Sequence, residues 1–488
     1  MTAPGAEVTS AAMTAEEALA AAADVLGEET DKATTLGPNV SLYRSRGIDG
    51  VLRPRTAEQV RRIVKIFGSS ARAGSLHAFS TGGNWGLGSK EPARDGAVVL
   101  DLHGLDRVRD LDLAGGWALV EPGVTQARLA KLLAGTGRML NCTVSSAHTS
   151  VLGNALDRGV GLRHQRVEDL LGLEVALPNG ELVHVGWWPE AGRTTPVYPH
   201  GLGPSLVQFF TQSDFGVVTA AAVRLLPRPE ALRVVRLNFA AEQLTPAIDE
   251  LRRWVAQGLT SGVVKVYNPP AARGYGSAEG EYLVHVCVDG TEASVAALTG
   301  VVTAAAEASG LFTQVSATDA SDPAQPNHQV AKLVEAAYAG DPDAQDVLFE
   351  TKMGRPAAEL DEKGGFLFFL LLVPFTGRDL ARADALLEQV FQETGVRCGA
   401  TLNALNADLI DCVVTMKYER TEEQAALGHR ALDRLYELAA EAGWMPYRLD
   451  IDHADWTDRF GDPAARALVR RLKDTVDPNR AVAQGRYA

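Results

Sequence analysis

The stretch STGGNWGLGS, residues 80–89, constrains the fold more than any other part of the chain. It packs four glycines into ten residues and follows directly on an apolar run, SLHAFS, that reads as a strand. Without a Cβ, a glycine-rich backbone lets several N–H groups approach one anion. The two familiar phosphate templates fail here. A P-loop needs Gly-Lys-Ser/Thr at its end, but the order is Gly88-Ser89-Lys90. The dinucleotide fingerprint must open a helix, whereas Gly86-x-Gly88 runs into Lys90, Glu91 and Pro92.

The 488 residues exceed one ordinary domain, so two or more intertwined domains are expected. Hydrophobic residues make up 46% and no apolar run approaches the roughly 18 residues of a membrane span. The net charge of −14 has no basic stripe, which argues against nucleic acid and against an anionic membrane surface. The clusters RVVR and LVRRLK read as solvated faces of a strand and a helix. Cys142, Cys287, Cys398 and Cys412 lie far apart with no metal-ligand spacing, so no metal site is expected and reduced thiols in a cytoplasm are the plain reading. The first residues lack a basic start and a continuous apolar centre, unlike a secretory signal. Thr14 and Glu17 instead make a capping box for an Ala-rich helix ending near Gly27, an appended helix or an oligomer contact.

From residue 50 the pattern is α+β. GVLRP is a short strand, and Thr56 caps a helix, AEQVRRIVKIFG, with Gln59 completing a capping box and Val60, Ile63, Val64 and Phe67 on one stripe. AVVLDL and WALVEPG are strands. TQARLAKLLAGTG is a helix with Leu129, Leu132 and Leu133 inward, and GLEVALPNGELVHVG is a hairpin about Pro178-Asn179-Gly180. Beyond Pro229, the strands ALRVVRLNF, GEYLVHVCVDG, FLFFLLLVPF and DLIDCVVTMKY alternate with amphipathic helices, which suits a second α+β domain on an antiparallel sheet.

Five segments carry a resemblance: FSTGGNWGLGS, GAVVLDL…WALVEPGVT, SVLGNALDRGVG, FFTQSDFGVVTAAAVRLLPRPE, and GWMPYRLD followed by DPNRAVAQGRY. In this order they resemble the FAD-binding oxidases typified by p-cresol methylhydroxylase, especially the vanillyl-alcohol oxidase subgroup. The resemblance implies an α+β fold: a two-lobed FAD-binding domain over 50–230 and an α+β cap domain with an antiparallel sheet over 231–440. A helical extension, 1–49, would precede them, and residues 441–488 would return to the first domain. The implied FAD pyrophosphate is held but never cleaved, so neither a lysine clamp nor a metal is needed. Ser80, Thr81, Gly82, Gly83, Asn84, Trp85, Gly86, Gly88 and Ser89 would form one wall of its cradle. Further contacts are implied at Pro122, Gly123, Val124, Ser145, Gly153, Asn154, Gly159, Gly161, Gly216, Val217 and Val218. Arg486 stands where the family has a lysine and would approach the flavin or a phosphate, or else lie in solvent. Asp157-Arg158 reads as a structural brace.

Tyr447-Arg448 coincides with a pair that binds the phenolate of phenol-oxidising relatives, which implies a catalytic role here. Three departures alter the implied pocket: Leu87 replaces a tyrosine, GVGLRHQR lacks two aromatic residues, and Leu449-Asp450 replaces Thr-His. On a strand, Arg448, Asp450 and Asp452 would share a face, so Asp450 is expected beside Arg448. His453, on the Tyr447 face, is either a general base or a hydrogen-bonded structural histidine. Asn84 occupies a position where relatives tether the flavin through histidine, and the matching cap strand has no tethering residue before Tyr418. Cys142 is either a thiolate tether or a buried thiol. Non-covalent FAD is therefore expected, with a small-molecule substrate, oxygen or another electron acceptor, and a homodimer as a family-level expectation. The activity implied is hydride removal from a carbon of an aromatic, phenolic or conjugated molecule. The alternatives are oxidation of an alcohol, sugar or 2-hydroxy acid, or a non-catalytic flavin-binding protein.

Overall fold

Strand-forming runs that alternate with short capped helices build, among the described residues, a two-stranded ribbon (Arg138–Met139 with Leu226–Pro227), two small sheets and one large one. The computed structural model describes residues 13–27, 31–83, 85–192, 195–319, 322–324 and 327–487. The first sheet is parallel, with Ile48–Leu52, Ala97–Asp101 and Ser75–Phe79 in that spatial order. The helix Ala57–Gly68 connects two of these strands and buries Val60, Ile63, Val64 and Phe67 as its periodicity predicts. Thr56 accepts from the Gln59 N–H, but the Gln59 side chain accepts from Arg55 N at 2.8 Å, one residue short of the reciprocal box. The complete box is at Thr14 and Glu17, which opens the helix Ala15–Leu26. Ala18 and Ala22 of that helix share a core with Val60 and Phe67, so its apolar face packs within the chain.

The second sheet has five antiparallel strands, ordered Val108–Asp112, Trp117–Val120, Val217–Arg224, Leu170–Ala176 and Leu182–Gly186. The last two are the hairpin expected about Pro178-Asn179-Gly180. In the helix Gln126–Leu133 the buried stripe runs through Gln126, Leu129 and Leu133, and Leu132, which was expected inward, is exposed beside it.

The cap carries seven antiparallel strands: Gln314–Ala317, Ala231–Ala240, Glu281–Gly290, Val264–Tyr267, Cys398–Ala404, Leu409–Lys417 and Phe366–Pro374. One face, including Val235, Val266, Phe369 and Val414, packs on the helices Leu244–Ala256, Gly377–Thr394 and Glu422–Glu441. The opposite face carries a row of directly paired residues: Arg236 opposite His285, His285 opposite Lys265, Lys265 opposite Asn403, and Asn403 opposite Asp411. All five are buried. RVVR is therefore not a solvated face throughout: Arg233 is exposed, but Arg236 is buried. LVRRLK is corrected likewise, since Lys473 is fully buried. At Lys473 the polar position marks internal polar contacts rather than water.

Residues 481–483 return to the first sheet, where Leu76 N donates to Ala481 O and Ala483 N to Leu76 O. The fold is α+β, with a large antiparallel cap sheet, as the resemblance implies. Among the described residues, no helix is long and apolar enough to cross a membrane.

Candidate active site

A cavity of about 330 Å³ lies between the glycine loop and the polar face of the cap sheet. Ser80, Thr81, Gly82 and Gly83 line it, together with Trp85, Leu87 and Ser89 from the same loop. Pro122, Ser145, Gly153, Asn154 and Gly159 form the adjoining wall, and Gly216, Val217 and Val218 continue it. Arg486, Tyr447 and Arg448 reach the same space from the far end of the sequence. Asn84 lies outside the described residues.

Several expected contacts are elsewhere. Gly86 and Gly88 have φ of +84° and +65°, and a Cβ at either would meet the Phe368 ring at 2.5 Å or Ile451 at 2.6 Å. They let the loop press against the cap and Ile451 and do not line the cavity. Gly123 sits against the His103 carbonyl, Val124 is fully buried in the second sheet's core, and Gly161 packs against Asn141.

The lining fits an extended anionic cofactor. A Cβ on Gly153 would fall 2.3 Å from Ser80 Oγ, so only glycine leaves that hydroxyl in place beside the helix Val151–Leu156. Arg486 donates to Ser89 Oγ at 3.0 Å through Nη2, while its buried Nη1 has no hydrogen-bond partner among the described residues. Asn154 Oδ1 is likewise buried and unpartnered. Such orphaned polar atoms at a cavity wall are what a polar ligand satisfies. Arg486 is thus a buried cation at the cavity and not a solvent-exposed one.

Tyr447 and Arg448 are not on a strand. The segment bends after Pro446, with Tyr447 N donating to Leu370 O at 3.0 Å and Leu372 N to Met445 O at 2.9 Å. The bend breaks the two-residue alternation, so Arg448 and Asp450 diverge. Arg448 Nε donates to the Asp157 carbonyl at 2.9 Å. Gln212 donates to the Tyr447 and Asp157 carbonyls, and Tyr487 OH donates to Asp157 Oδ1 at 3.0 Å. Asp157 is gripped from three directions, while Arg158 turns to Thr211. Burial pushes the Tyr447 phenol well up, so it stays protonated as a donor.

Asp450 and His453 do not line the cavity. Asp450 is fully buried and accepts from His453 Nδ1, 2.9 Å away, and from Asp452 N. The His453 ring stacks on Tyr436 with centroids 3.8 Å apart. The substrate-binding expectation for both is therefore corrected to a structural cluster, in which Asp452 pairs with Arg46 at 2.6 Å. Cys142 is also away from the cavity, with burial pushing its thiol up to about 12. Tyr418 is tied to the Ser41 carbonyl at 2.7 Å.

Residues the sequence reading did not single out complete the cap side: Lys265, Thr401, Asn403 and Val413 from the sheet, with Phe368 and Leu370. Phe349 and Lys352 reach it from the helix Pro342–Met353, and Phe349 stacks on Trp85 at 5.7 Å. Lys265 Nζ donates to Asn403 Oδ1 at 2.7 Å, and burial lowers its ammonium to about 7. The two-residue alternation of VKVY and CGATLNA carried that signal, but it reads equally as a water-facing strand.

Residues 48–186 match a family model described as an FAD binding domain. A curated relative, 1'-carboxy-chondrochloren decarboxylase of Chondromyces crocatus, is 27% identical across 97% of both chains. The 4-cresol dehydrogenase [hydroxylating] flavoprotein subunit of Pseudomonas putida is 26% identical over 88% of this chain and 86% of its own. The crystal structure of p-cresol methylhydroxylase with substrate bound superposes with a TM-score of 0.86 at 22% identity, covering 96% of each chain. The isoeugenol complex of 4-ethylphenol oxidase from Gulosibacter chungangensis gives 0.84 at 20% identity over the same shares. Residues 48–186 are thus an FAD binding domain, and across most of its length the chain is similar to p-cresol methylhydroxylase in sequence and fold. The protein is an FAD-linked oxidoreductase, and residues 80–83, Trp85, Leu87 and Ser89 of the glycine loop line its cavity.

Proposed function

We propose that this flavoenzyme removes a hydride from the carbon para to the hydroxyl of a phenolic substrate. FAD, when bound, supplies the two-electron acceptor. The observation that carries the reading is the entry of Tyr447 and Arg448 into the same cavity as the glycine loop and the Gly216–Val218 backbone. Arg448 supplies a permanent cation and Tyr447 a protonated phenol donor, the pair that stabilises a phenolate as its proton leaves. Phe349, Phe368 and Trp85 offer apolar faces for a flat ring. With the ring anionic, loss of hydride from its para carbon gives a quinone methide open to attack by water. The names of the 4-cresol and 4-ethylphenol relatives support a phenolic class, and that of the decarboxylase places a carboxylated substrate on the same scaffold.

The proposed cofactor attachment is non-covalent, supported by Asn84 at the loop position and by Cys142 and Tyr418 standing off the cavity. Acid precipitation releasing all flavin to the supernatant is the expected result. Molecular oxygen or another acceptor completes the cycle. The test is anaerobic bleaching of the flavin by 4-alkylphenols, with Tyr447→Phe and Arg448→Met slowing it on the order of 10²-fold or more. Bleaching by alcohols or 2-hydroxy acids but by no phenol would overturn the proposal.

A further inference from the structure

Two lysines that the phenolate chemistry does not use face the same cavity. Lys265 stands on the cap sheet and Lys352 on the helix Pro342–Met353. Neither has a carboxylate within 4 Å among the described residues. Lys265 Nζ has one hydrogen-bond partner, Asn403 Oδ1, although an ammonium carries three donors. Lys352 Nζ lies over the Phe368 ring, 6.0 Å from its centroid.

The nearest acid does not balance them. Asp411 stands one strand beyond Asn403, receives Asn403 Nδ2 at 3.2 Å, and leaves its buried Oδ1 unpartnered. Burial pushes its carboxyl up to about 7, so Asp411, like Lys265, is only partly charged near neutral pH. Burial and then the Lys352 charge lower Lys265 to about 7, and burial lowers Lys352 to about 8. Arg236, His285 and Tyr267 also surround Lys265, and none of them is an anion at neutral pH. Two enclosed amines with lowered proton affinity and no carboxylate beside them are held in their charged form by an anion arriving from outside.

We infer that this wall of the cavity binds the carboxylate of the substrate, making the substrate class a phenolic acid anchored by Lys265 and Lys352, with Asn403 orienting Lys265. The identity of the phenolic part rests on the proposed function above; the anion site does not.

The test uses 4-hydroxycinnamate and its methyl ester, which share one phenol and one side chain, differ by one charge, and have no saturated para carbon to lose hydride. Dissociation constants are read from the perturbation of the oxidised flavin spectrum in the holoenzyme. The acid is expected to bind about 10-fold tighter than the ester or better. Lys265→Met and Lys352→Met should each weaken the acid about 30-fold while moving the ester about threefold or less, and Lys265→Arg should keep the preference for the acid. Flavin content per protein reports whether each variant has folded. Equal binding of acid and ester to the unaltered enzyme overturns the inference. So does parallel weakening of both in the variants, which would assign the lysines to the phenol oxygen or to the scaffold. If alkylphenols fail to bleach the flavin while the acid preference persists and depends on the lysines, the anion site stands and the hydride reading falls. If they bleach it and no acid preference exists, the reverse holds.

Discussion

Lys473 allows the link between the C-terminal segment and the FAD cavity to be tested quantitatively. Its ammonium is fully buried and donates to Asp477 Oδ2 at 2.8 Å, to Val482 O at 3.0 Å and to the Asp214 carbonyl. Asp477 in turn accepts from the Ala481 and Val482 N–H groups at 2.9 and 3.0 Å. Lys473→Met would leave the Asp477 and Asp214 carboxylates without their cation and strip two carbonyls of a donor. Removing one partner of a buried ion pair costs about 3–5 kcal/mol. The two N–H bonds that remain on Asp477 place the expected cost near the lower figure. Unfolding entropy of about 2.1 cal/mol/K per residue makes this only about 3 °C in Tm for 488 residues, so urea midpoints are the sharper measure. Val482 and Ala483 line the cavity beside Gly216, so flavin should also dissociate faster from the variant. Lys473→Met combined with Asp477→Asn removes the stranded charge and should recover about 1 kcal/mol or more. A single variant that loses less than about 1 kcal/mol and holds its flavin normally would refute the reasoning.

Gly153→Ala places a methyl 2.3 Å from Ser80 Oγ and should cut flavin retained per protein by about tenfold, for a packing cost of about 1–3 kcal/mol; adding Ser80→Ala should restore part of it. The His453 cluster predicts a pH effect. Burial alone would lower its imidazole, but the Asp450 hydrogen bond and the charges of Asp450, Asp433 and Asp452 raise it above the ordinary 6.5. Its contribution to stability is therefore complete below about pH 6.5 and is lost as pH rises through the raised folded value. Urea midpoints should fall across that window and fall less in His453→Gln; an identical decline in both would contradict the assignment.

Most strands and helices were legible because their local and tertiary preferences agree. FLFFLLLVPF and DLIDCVVTMKY pair along their length, and the Pro178-Asn179-Gly180 turn fixes its hairpin. The strands Val264–Tyr267 and Gln314–Ala317 are four residues each, too short for a periodic signal to stand out. Cys398–Ala404 was missed as well, its alternation being diluted by small residues. Of the site, the glycine loop could be read because it encodes backbone geometry. Lys265, Asn403 and Asp411 could not, because alternation tells only that two faces differ, not whether a polar face meets water or another domain. Asp450 and His453 were misplaced because a bend after Pro446 replaces a strand, and period-two reasoning carries no information across a bend.

The return of residues 481–487 has a consequence for the order of assembly. Leu76 gains its edge partner at Val482, and Val482, Ala483, Arg486 and Tyr487 form part of the cavity wall. These residues are made after every other part of that wall. However early the glycine loop forms during synthesis, Ser89 waits 397 residues for Arg486, and Asp157 waits 330 for Tyr487. The cavity wall is therefore complete only after translation has passed the 480s.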